Sequence, residues 1–180
     1  MPAYAIGDVH GCVGTLRYLV EEKIVPSKTD TIYFLGDYIN KGPDPKGVLD
    51  YVLNLKNQAF SVNCLRGNHE QYVLDALRNP WEAYGLAGRG FASTLCSFGA
   101  RFVRDIPEPY IRFMAGMPYF YETESYILVH AGFNFRFEDP FRDDYAMLNI
   151  KDMEVDDAKT GGKVVLHGHV PTDVACICDT

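Results

Sequence analysis

The chain has 180 residues, of which 47% are hydrophobic and 23% are charged. These values are typical of a globular domain that can bury a full core, and they argue against disorder. The formal net charge of −7 argues against nonspecific binding to nucleic acid or to an anionic membrane surface, since both are themselves negatively charged. We therefore expect one domain over residues 1–180, with no nucleic-acid partner and no membrane partner.

The compartment is predicted from the N-terminus and the cysteines. No apolar run approaches the roughly 20 residues of a membrane-spanning helix, and Met1 opens a strand-like run in place of a secretion signal. The five cysteines are odd in number, and only Cys176 and Cys178 lie close together. Reduced thiols in a cytoplasm explain them better than a disulfide framework, and strand alternation explains the close pair better than half of a metal site.

Short runs rich in β-branched and aromatic residues predict buried strands. They cover residues 3–6, 31–35, 60–65, 126–129 and 163–166. Apolar residues at helical spacing separate the first three runs, which predicts the order β-α-β-α-β. Right-handed crossovers turn this order into a parallel sheet with helices packed on it, so the predicted fold class is α/β.

The second half of the chain has a different pattern. Residues 81–117 predict helices and loops, and residues 120–129 predict a hairpin that turns at 122–125. Residues 139–162 are acidic and rich in loop formers, which favours a surface segment or a lid. A last short run at 174–178 predicts one more strand.

Every histidine of the chain follows directly after a predicted strand. The five are His10, His69, His130, His167 and His169. Equivalent places hold Asp8, Asp37 and Asn68, and ligands of an open α/β sheet bind outside the carboxyl ends of its strands. Mixed carboxylate, imidazole and amide groups suit Mn²⁺, iron or Zn²⁺. The set predicts a metal site, although His167 is better explained as a packed strand residue.

These residues lie in five blocks. In chain order they are Gly7-Asp8-Val9-His10-Gly11, Gly36-Asp37 with Gly42, Gly67-Asn68-His69-Glu70, His130-Ala131-Gly132 and Gly168-His169-Val170-Pro171. Together they resemble the signature of the phosphoprotein phosphatase family of calcineurin-like metallophosphoesterases, in its bacterial and phage serine/threonine phosphatase form. The resemblance implies a central β-sheet sandwich flanked by helices. It also implies a shortened version, minimal or truncated, because the family continues with further strands where this chain stops.

The resemblance assigns a role to each site residue. A first metal would be bound by Asp8 and His10, a second by Asn68, His130 and His169, and Asp37 would bridge the two. His69 would be the general acid that protonates the leaving alkoxide. The implied cofactors are two divalent cations, Mn²⁺ first and iron or Zn²⁺ as alternatives, and a hydroxide that bridges them would attack phosphorus directly. The candidates for phosphate contacts are Lys41, Arg66 and Arg89, and the two arginines are each weighed against a solvated surface side chain.

The second block departs from the family pattern. The family has an aspartate and an arginine where this chain has Asn40 and Lys41. We expect Asn40 to accept a hydrogen bond from His69 without the charge that stabilises an imidazolium, and Lys41 to offer phosphate a point charge in place of a planar fork. The sequence therefore predicts reduced turnover with intact metal binding.

The predicted function is that of a two-metal phosphomonoesterase acting on phosphoserine or phosphothreonine in proteins, with phosphotyrosine as a further substrate. Pro171 and Glu70 favour phosphomonoesterases over related nucleases, which have a ligand histidine and an aspartate at these places. Two alternatives stay open. One is a nucleotide hydrolase similar to the diadenosine tetraphosphate hydrolases, and the other is a weakly active module that binds phosphoproteins. The expected partners are phosphoproteins or phosphorylated small molecules, and the oligomeric state is left open.

Overall fold

A computed structural model describes residues 1–79, 81 and 87–172. Its first sheet is parallel and has the strands in chain order: β1 (Ala3–Ile6), β2 (Thr31–Phe34) and β3 (Ser61–Cys64). Ile6 pairs with Phe34 and Phe34 pairs with Cys64, so the three strands end side by side. The predicted order is confirmed, with β2 and β3 slightly shorter than expected.

Helices cross over between these strands, as parallel neighbours require. α1 (Val13–Tyr18) continues into a π-helical turn, Leu19–Ile24, and α2 (Pro45–Asn57) follows β2. The Asp44 side chain accepts a hydrogen bond from Gly47 N–H at 2.9 Å, and Pro45 lies in the first turn. Both features stabilise the start of α2, because they satisfy or remove N–H groups that have no partner in the helix.

The main core lies between the first sheet and these helices. Its fully buried side chains include Ile32, Phe34, Val48, Leu49 and Val52. Burying a side chain of this size contributes about 1.5–3 kcal/mol relative to leaving it exposed. This packing fixes the sheet, and with it the loops that leave its carboxyl edge.

A second sheet faces the first. Its strands are β4 (Phe120–Glu122), β5 (Tyr126–Val129) and β6 (Val164–Leu166). β4 and β5 pair antiparallel as the predicted hairpin, and β6 joins β5 in parallel. Leu35 and Leu65, just beyond β2 and β3, pack against Leu128 of β5. This contact makes the two sheets a sandwich, which confirms the α/β architecture that the resemblance implied.

The remaining helices flank the sandwich. They are α3 (Asn68–Arg78), α4 (Phe91–Phe98), α5 (Glu108–Ala115), α6 (Asp144–Asn149) and α7 (Asp157–Thr160). The expectation of a loop-rich surface segment at residues 139–162 is wrong in part. That stretch contains α6 and α7, and Met147 of α6 is buried with Ile127 and Phe133 in a core of the second sheet.

The remaining expectations concern cysteines and membrane spans. Cys12, Cys64 and Cys96 are free thiols, as predicted. The predicted strand at 174–178, with Cys176 and Cys178, lies outside the described residues. In the part of the chain that the structure describes, no helix has the length and apolar character needed to cross a bilayer.

Candidate metal centre

The candidate site lies at the carboxyl edge of the strands. Each block contributes from the segment that follows one strand: Asp8 and His10 after β1, Asp37 after β2, Asn68 and His69 in the first turn of α3 after β3, His130 after β5 and His169 after β6. Two groups of potential ligand atoms form, each with all its atoms within 4.8 Å of one another. One consists of His10, Asp37 and His69, and the other of Asp37, His130 and His169. Asp37 belongs to both.

The backbone of the site adopts an uncommon conformation. Five non-glycine residues have a φ between 44° and 68°: His10, Asp37, Asn40, Lys41 and His169. Elsewhere in the described ranges, Val25 and Ala59 are the non-glycine residues that share a positive φ. This region of φ is costly for residues with a Cβ, and such residues concentrate at functional sites. The strain therefore coincides with the predicted metal site.

Glu70 fixes the turn that carries Asp37. Its buried carboxylate accepts hydrogen bonds from four backbone N–H groups at 2.9–3.3 Å, those of Gly67, Asp37, Tyr38 and Ile39. Burial, followed by the charge of Asp37, raises the pKa of Glu70 to about 7, while the N–H donors favour its ionised form. Glu70 thus ties the loops after β2 and β3 together.

Asp37 is itself buried, with 1% of its surface exposed. Its Oδ1 accepts a hydrogen bond from His69 N–H at 3.0 Å. Burial, followed by repulsion from Asp8, raises the pKa of Asp37 to about 8. A carboxylate in such a place is stabilised in its charged form by a nearby cation.

Two main-chain carbonyls orient imidazole rings towards Asp37. His10 Nδ1 donates to Ile39 O at 2.9 Å and His130 Nδ1 donates to Leu35 O at 2.8 Å, so each Nε2 presents a lone pair to the site. Burial lowers the pKa of both histidines. Asp37 oxygens lie 3.4 Å from His10 Nε2 and 3.5 Å from His130 Nε2. Both imidazole nitrogens and the carboxylate converge on one space, so the donor set fits two divalent metals that share Asp37.

The other predicted ligands join the same site. His169 N–H donates to Asp8 Oδ1 at 3.0 Å, and the His169 ring lies against His130 with 5.0 Å between centroids. Burial lowers the pKa of His169. Asp8 Oδ2 is 3.8 Å from His10 Nε2, and Asn68 Oδ1 is 3.0 Å from His130 Nε2. The structure therefore brings all six predicted ligands together, while their function as ligands stays a prediction.

The hydrogen bond between Asn40 and His69 has the opposite direction to the one expected. Asn40 Nδ2 donates to His69 Nδ1 at 2.8 Å. Buried Thr94 occupies the other half of the amide, because its hydroxyl donates to Asn40 Oδ1 at 2.6 Å and accepts from Asn40 N–H at 3.0 Å. The expectation that Asn40 accepts from His69 is therefore wrong. The His69 proton lies on Nε2, and burial, followed by the charge of His10, lowers the pKa of His69 to about 3.

Two of the three basic candidates lie near this site. Lys41 Nζ is 2.8 Å from His10 Nε2. The Arg89 guanidinium stacks on the ring of Tyr72 at 3.7 Å, and its charge is one of those that lower the pKa of His69. Both cations are thus placed to contact an anion at the site.

Arg66 is engaged elsewhere. Its Nη1 donates to Gln71 Oε1 at 2.9 Å and to Tyr119 OH at 3.1 Å, and its Nη2 donates to Ala115 O at 2.5 Å. These bonds connect the loop after β3 to α3 and to the end of α5. In this structure the side chain stabilises the fold, and a phosphate contact by Arg66 stays a prediction.

His167 also differs from expectation. It is exposed, and its Nδ1 donates to Gly168 O at 3.1 Å, so the interpretation as a packed strand residue is wrong. It lies on the wall of a cavity of about 1200 Å³ that is lined also by Ala131, Ile150 and Lys151. Ala131, which follows His130 in the chain, lies on its wall, and the lining also contains four acidic side chains, Asp152, Glu154, Asp156 and Asp157.

Sequence reasoning missed three groups that orient the site. Glu70 was visible as the last residue of the third block, where a carboxylate beside the ligand and the histidine was an available signal. Tyr72 lies four residues after Asn68 on α3, a helical spacing that was an available signal, whereas nothing in the segment of Thr94 on α4 relates it to the blocks. The position of Thr94 follows from the packing of α4 alone.

The model of the calcineurin-like phosphoesterase family matches residues 1–179. The chain belongs to the calcineurin-like phosphoesterase family. The family-level resemblance is therefore confirmed, and with it the relation to hydrolases of phosphoric esters. The phosphoprotein phosphatase subgroup stays a prediction.

Individual relatives differ in their named activities. A symmetrical bis(5′-nucleosyl)-tetraphosphatase of Aromatoleum aromaticum is 33% identical over 135 residues, covering 73% of this chain and 44% of that protein. A zinc-dependent endopolyphosphatase of Saccharomyces cerevisiae is 43% identical over 76 residues, covering 42% of this chain and 22% of that protein. The chain thus spans less than half the length of these curated relatives.

Solved structures agree on the fold. A protein serine/threonine phosphatase from Saccharomyces cerevisiae superposes with a TM-score of 0.60 and 17% identity, covering 92% of this chain and 57% of that one. At this identity the likeness concerns the fold alone.

Proposed function

We propose that this chain hydrolyses phosphoric ester or anhydride bonds with the help of two divalent cations. The proposal depends above all on Asp37, whose buried carboxylate lies 3.4 Å from His10 Nε2 and 3.5 Å from His130 Nε2. A carboxylate shared by two sets of ligands is what a cation pair a few ångströms apart requires. Membership of the calcineurin-like phosphoesterase family supports the same reaction class.

The residues present fit such a pair. Asp8, His10 and Asp37 would hold one cation, and Asp37, Asn68, His130 and His169 would hold the other. When bound, the cations supply the charge that activates a water nucleophile and neutralises the phosphoryl oxygens. We propose Mn²⁺, with Zn²⁺ and iron as alternatives, and the zinc dependence named for the yeast relative supports Zn²⁺.

His69 is proposed to assist the leaving group, and its hydrogen bond to Asn40 limits what it can do. Because Nδ1 accepts the Asn40 N–H, His69 offers a hydrogen bond from Nε2 as a neutral ring and is a poor proton donor. An alkoxide leaving from phosphoserine needs a full proton. A phosphate leaving from a phosphoanhydride is stable as an anion at neutral pH.

A neutral His69 that offers only a hydrogen bond favours a substrate with a phosphate leaving group. We propose a dinucleoside polyphosphate as the first candidate. The named activity of the Aromatoleum relative supports it. Lys41 and Arg89, two cations near the site, provide positive charge for an anionic substrate.

A phosphoserine or phosphothreonine protein is the second candidate. The five sequence blocks favour it, since they resemble the phosphoprotein phosphatase pattern. A cytoplasmic location remains a prediction from the sequence.

The test compares substrates on one protein preparation. Metal-stripped protein is assayed with diadenosine tetraphosphate, a phosphoserine peptide and an aryl phosphate, before and after Mn²⁺ or Zn²⁺ is added. We expect metal-dependent turnover that is fastest on the dinucleotide. Faster turnover of the peptide would select the second candidate. Two bound metals without turnover would indicate a binding module, and a chain that binds no metal would refute the proposal.

A further inference from the structure

We propose that Tyr72 and Asn149 are positioning residues that direct the side-chain oxygen of Asn68 towards the cation site formed with His130 and His169. The inference rests on the proposed two-metal function and deepens it. An amide binds a cation through its oxygen and not through its NH₂ group. The orientation of the Asn68 amide therefore decides whether this residue can be a ligand.

A chain of hydrogen bonds begins at the main chain of α6 and ends at Asn68. Asn149 Nδ2 donates to Tyr145 O at 3.0 Å, which leaves Asn149 Oδ1 facing Tyr72. The Tyr72 hydroxyl donates its one proton to that oxygen at 3.1 Å. The hydroxyl oxygen then accepts from Asn68 Nδ2 at 3.0 Å.

The direction of these hydrogen bonds decides which atom of the Asn68 amide faces the site. With Nδ2 bound to Tyr72, Asn68 Oδ1 points into the site and lies 3.0 Å from His130 Nε2. That nitrogen carries a lone pair, since His130 Nδ1 donates to Leu35 O. Two acceptors at this distance are unfavourable together unless a cation lies beside both.

The opposite orientation of Asn68 would satisfy the site without a cation. If the amide is turned by 180°, Nδ2 donates to His130 Nε2 at 3.0 Å and to the Asp37 oxygens at 3.1 and 3.2 Å, and Oδ1 accepts from Tyr72 OH at 3.0 Å. The hydroxyl of Tyr72 has only one proton, so it cannot also donate to Asn149 Oδ1. Asn149 cannot turn in response, because its oxygen would then face Tyr145 O.

Asn68 therefore has two orientations, and Tyr72 and Asn149 oppose the one that closes the site to a cation. Loss of a partner that orients a metal ligand typically lowers metal affinity about 10- to 100-fold. The same loss is expected here, and only at the site to which Asn68 contributes.

The test is Tyr72→Phe, which removes the hydroxyl and keeps the ring on which Arg89 stacks at 3.7 Å. The matched control is Tyr110→Phe, since the Tyr110 hydroxyl bonds Asp50 on α2. Metal-free proteins are titrated with Mn²⁺ by calorimetry, and bound metal is counted by elemental analysis. We expect two sites in the wild type and in the control. In Tyr72→Phe, one site should weaken about 10- to 100-fold while the other keeps its affinity.

Two further variants identify the weakened site and the coupling. Asn149→Leu removes the acceptor of Tyr72 and should weaken the same site, and combining it with Tyr72→Phe should add little, because both act through Asn68. In a His169→Ala background, where the first site alone remains, Tyr72→Phe should have no further effect on Mn²⁺ affinity.

Unchanged affinity in Tyr72→Phe would overturn the inference while leaving the two-metal proposal intact. Equal weakening of both sites, or a matching fall in thermal stability, would also overturn it, since these results indicate a structural role. A wild-type chain that binds no Mn²⁺ or Zn²⁺ would overturn the proposed function, and this inference with it.

Discussion

Asn40 donates its side-chain N–H to Nδ1 of His69 at 2.8 Å, and its side-chain oxygen accepts from the Thr94 hydroxyl at 2.6 Å. A carboxylate in the place of Asn40 would accept the Nδ1 proton instead and stabilise a charged imidazolium. The amide does the reverse, because it requires a lone pair on Nδ1. Under the proposed function, this pair limits the reaction to leaving groups that need little protonation.

Replacement of Asn40 by aspartate is expected to reverse this polarity. The carboxylate would accept from Nδ1 and from Thr94, so the pKa of His69 should rise and the ring should donate a full proton at higher pH. Turnover of a phosphoserine peptide should increase about tenfold or more, and turnover of diadenosine tetraphosphate should change little. The measurement is the ratio of the two kcat values across a pH series.

Thr94→Ser serves as the control for this prediction, since it keeps the hydroxyl that orients position 40. It should leave the substrate ratio of the wild type unchanged. If Asn40→Asp left the rate on the phosphoserine peptide unchanged or lowered it, the account of Asn40 would be wrong.

The variant His69→Asn tests whether His69 donates to the leaving group or is a metal ligand. His69 Nε2 lies 3.8 Å from Asp37 Oδ2, against 3.4 Å for His10 Nε2, so both rings are near enough to share a cation with Asp37. As a proton donor, His69 is dispensable for metal binding. We expect two metals per chain in the variant and a loss of about tenfold in kcat on diadenosine tetraphosphate, because one hydrogen bond to the leaving group is removed.

Metal content decides this prediction, and it is measured on the same samples as the rates. One metal per chain in His69→Asn would show that His69 is a ligand. His130→Asn is the comparison variant, because it is expected to lose one metal whatever the substrate.

The clustering of the candidate ligands could be predicted from the sequence because each lies in a short block at the end of a strand. Strand order and crossover handedness bring such ends to one edge whatever the helices do. The direction of the Asn40 bond could not be predicted, because Thr94, 54 residues away on α4, decides it. Tyr72 and Asn149, 77 residues apart, are related only by the packing of α3 and α6.

Arg66 shows that a residue next to a sequence block can have side-chain contacts that the block does not predict. It directly precedes the third block, and adjacency alone made it a candidate for phosphate binding. Its side chain turns towards Gln71 and Tyr119, which offer hydrogen-bond acceptors and an aromatic face at 4.9 Å from the guanidinium. A sequence block predicts where the backbone goes, and it does not predict which neighbour receives a long flexible side chain.

Glu70→Gln should destabilise the fold as well as the site. Four N–H groups point at the two carboxylate oxygens, so the NH₂ group of a glutamine would face donors in either orientation. Leaving buried donors unsatisfied costs about 1–3 kcal/mol each, so the free energy of unfolding should fall by about 2 kcal/mol or more.

Urea denaturation of the metal-free proteins measures this effect. Glu154→Gln on the exposed surface removes the same charge and should change the stability little. A Glu70→Gln variant as stable as the wild type would show that the four N–H groups find other partners.

Asp37→Asn should separate stability from metal binding. In the metal-free fold, the pKa of Asp37 is raised from 3.8 to about 8, so between these values the folded state holds a proton that the unfolded state has lost. The free energy of unfolding therefore falls as pH rises through this window. Asparagine removes that dependence, so metal-free Asp37→Asn should be more stable than metal-free wild type at pH 8 and similar to it near pH 4.

Addition of metal should reverse the order of the two proteins. At about 100 times its dissociation constant, a bound cation stabilises the wild type by about 2.7 kcal/mol, while Asp37→Asn lacks the shared ligand and should gain little. Thermal unfolding with and without Mn²⁺, from pH 5 to pH 8, provides the comparison. Equal stabilisation of both proteins by Mn²⁺ would contradict the bridging role.

Replacement of Arg89 by alanine is expected to change KM, and replacement of Arg66 by alanine is expected to change stability. Arg89 contacts the ring of Tyr72, and its charge reaches His69, so Arg89→Ala should raise KM for an anionic substrate about tenfold, as expected for the loss of a charge-assisted hydrogen bond. The stability of the fold should hardly change. Arg66→Ala removes three hydrogen bonds that join the loop after β3 to α3, to Tyr119 and to the end of α5. It should therefore lower the free energy of unfolding by about 1–3 kcal/mol and leave KM near the wild-type value. Steady-state kinetics and urea denaturation on the same two proteins separate the roles, and a higher KM in Arg66→Ala at unchanged stability would return Arg66 to the substrate site.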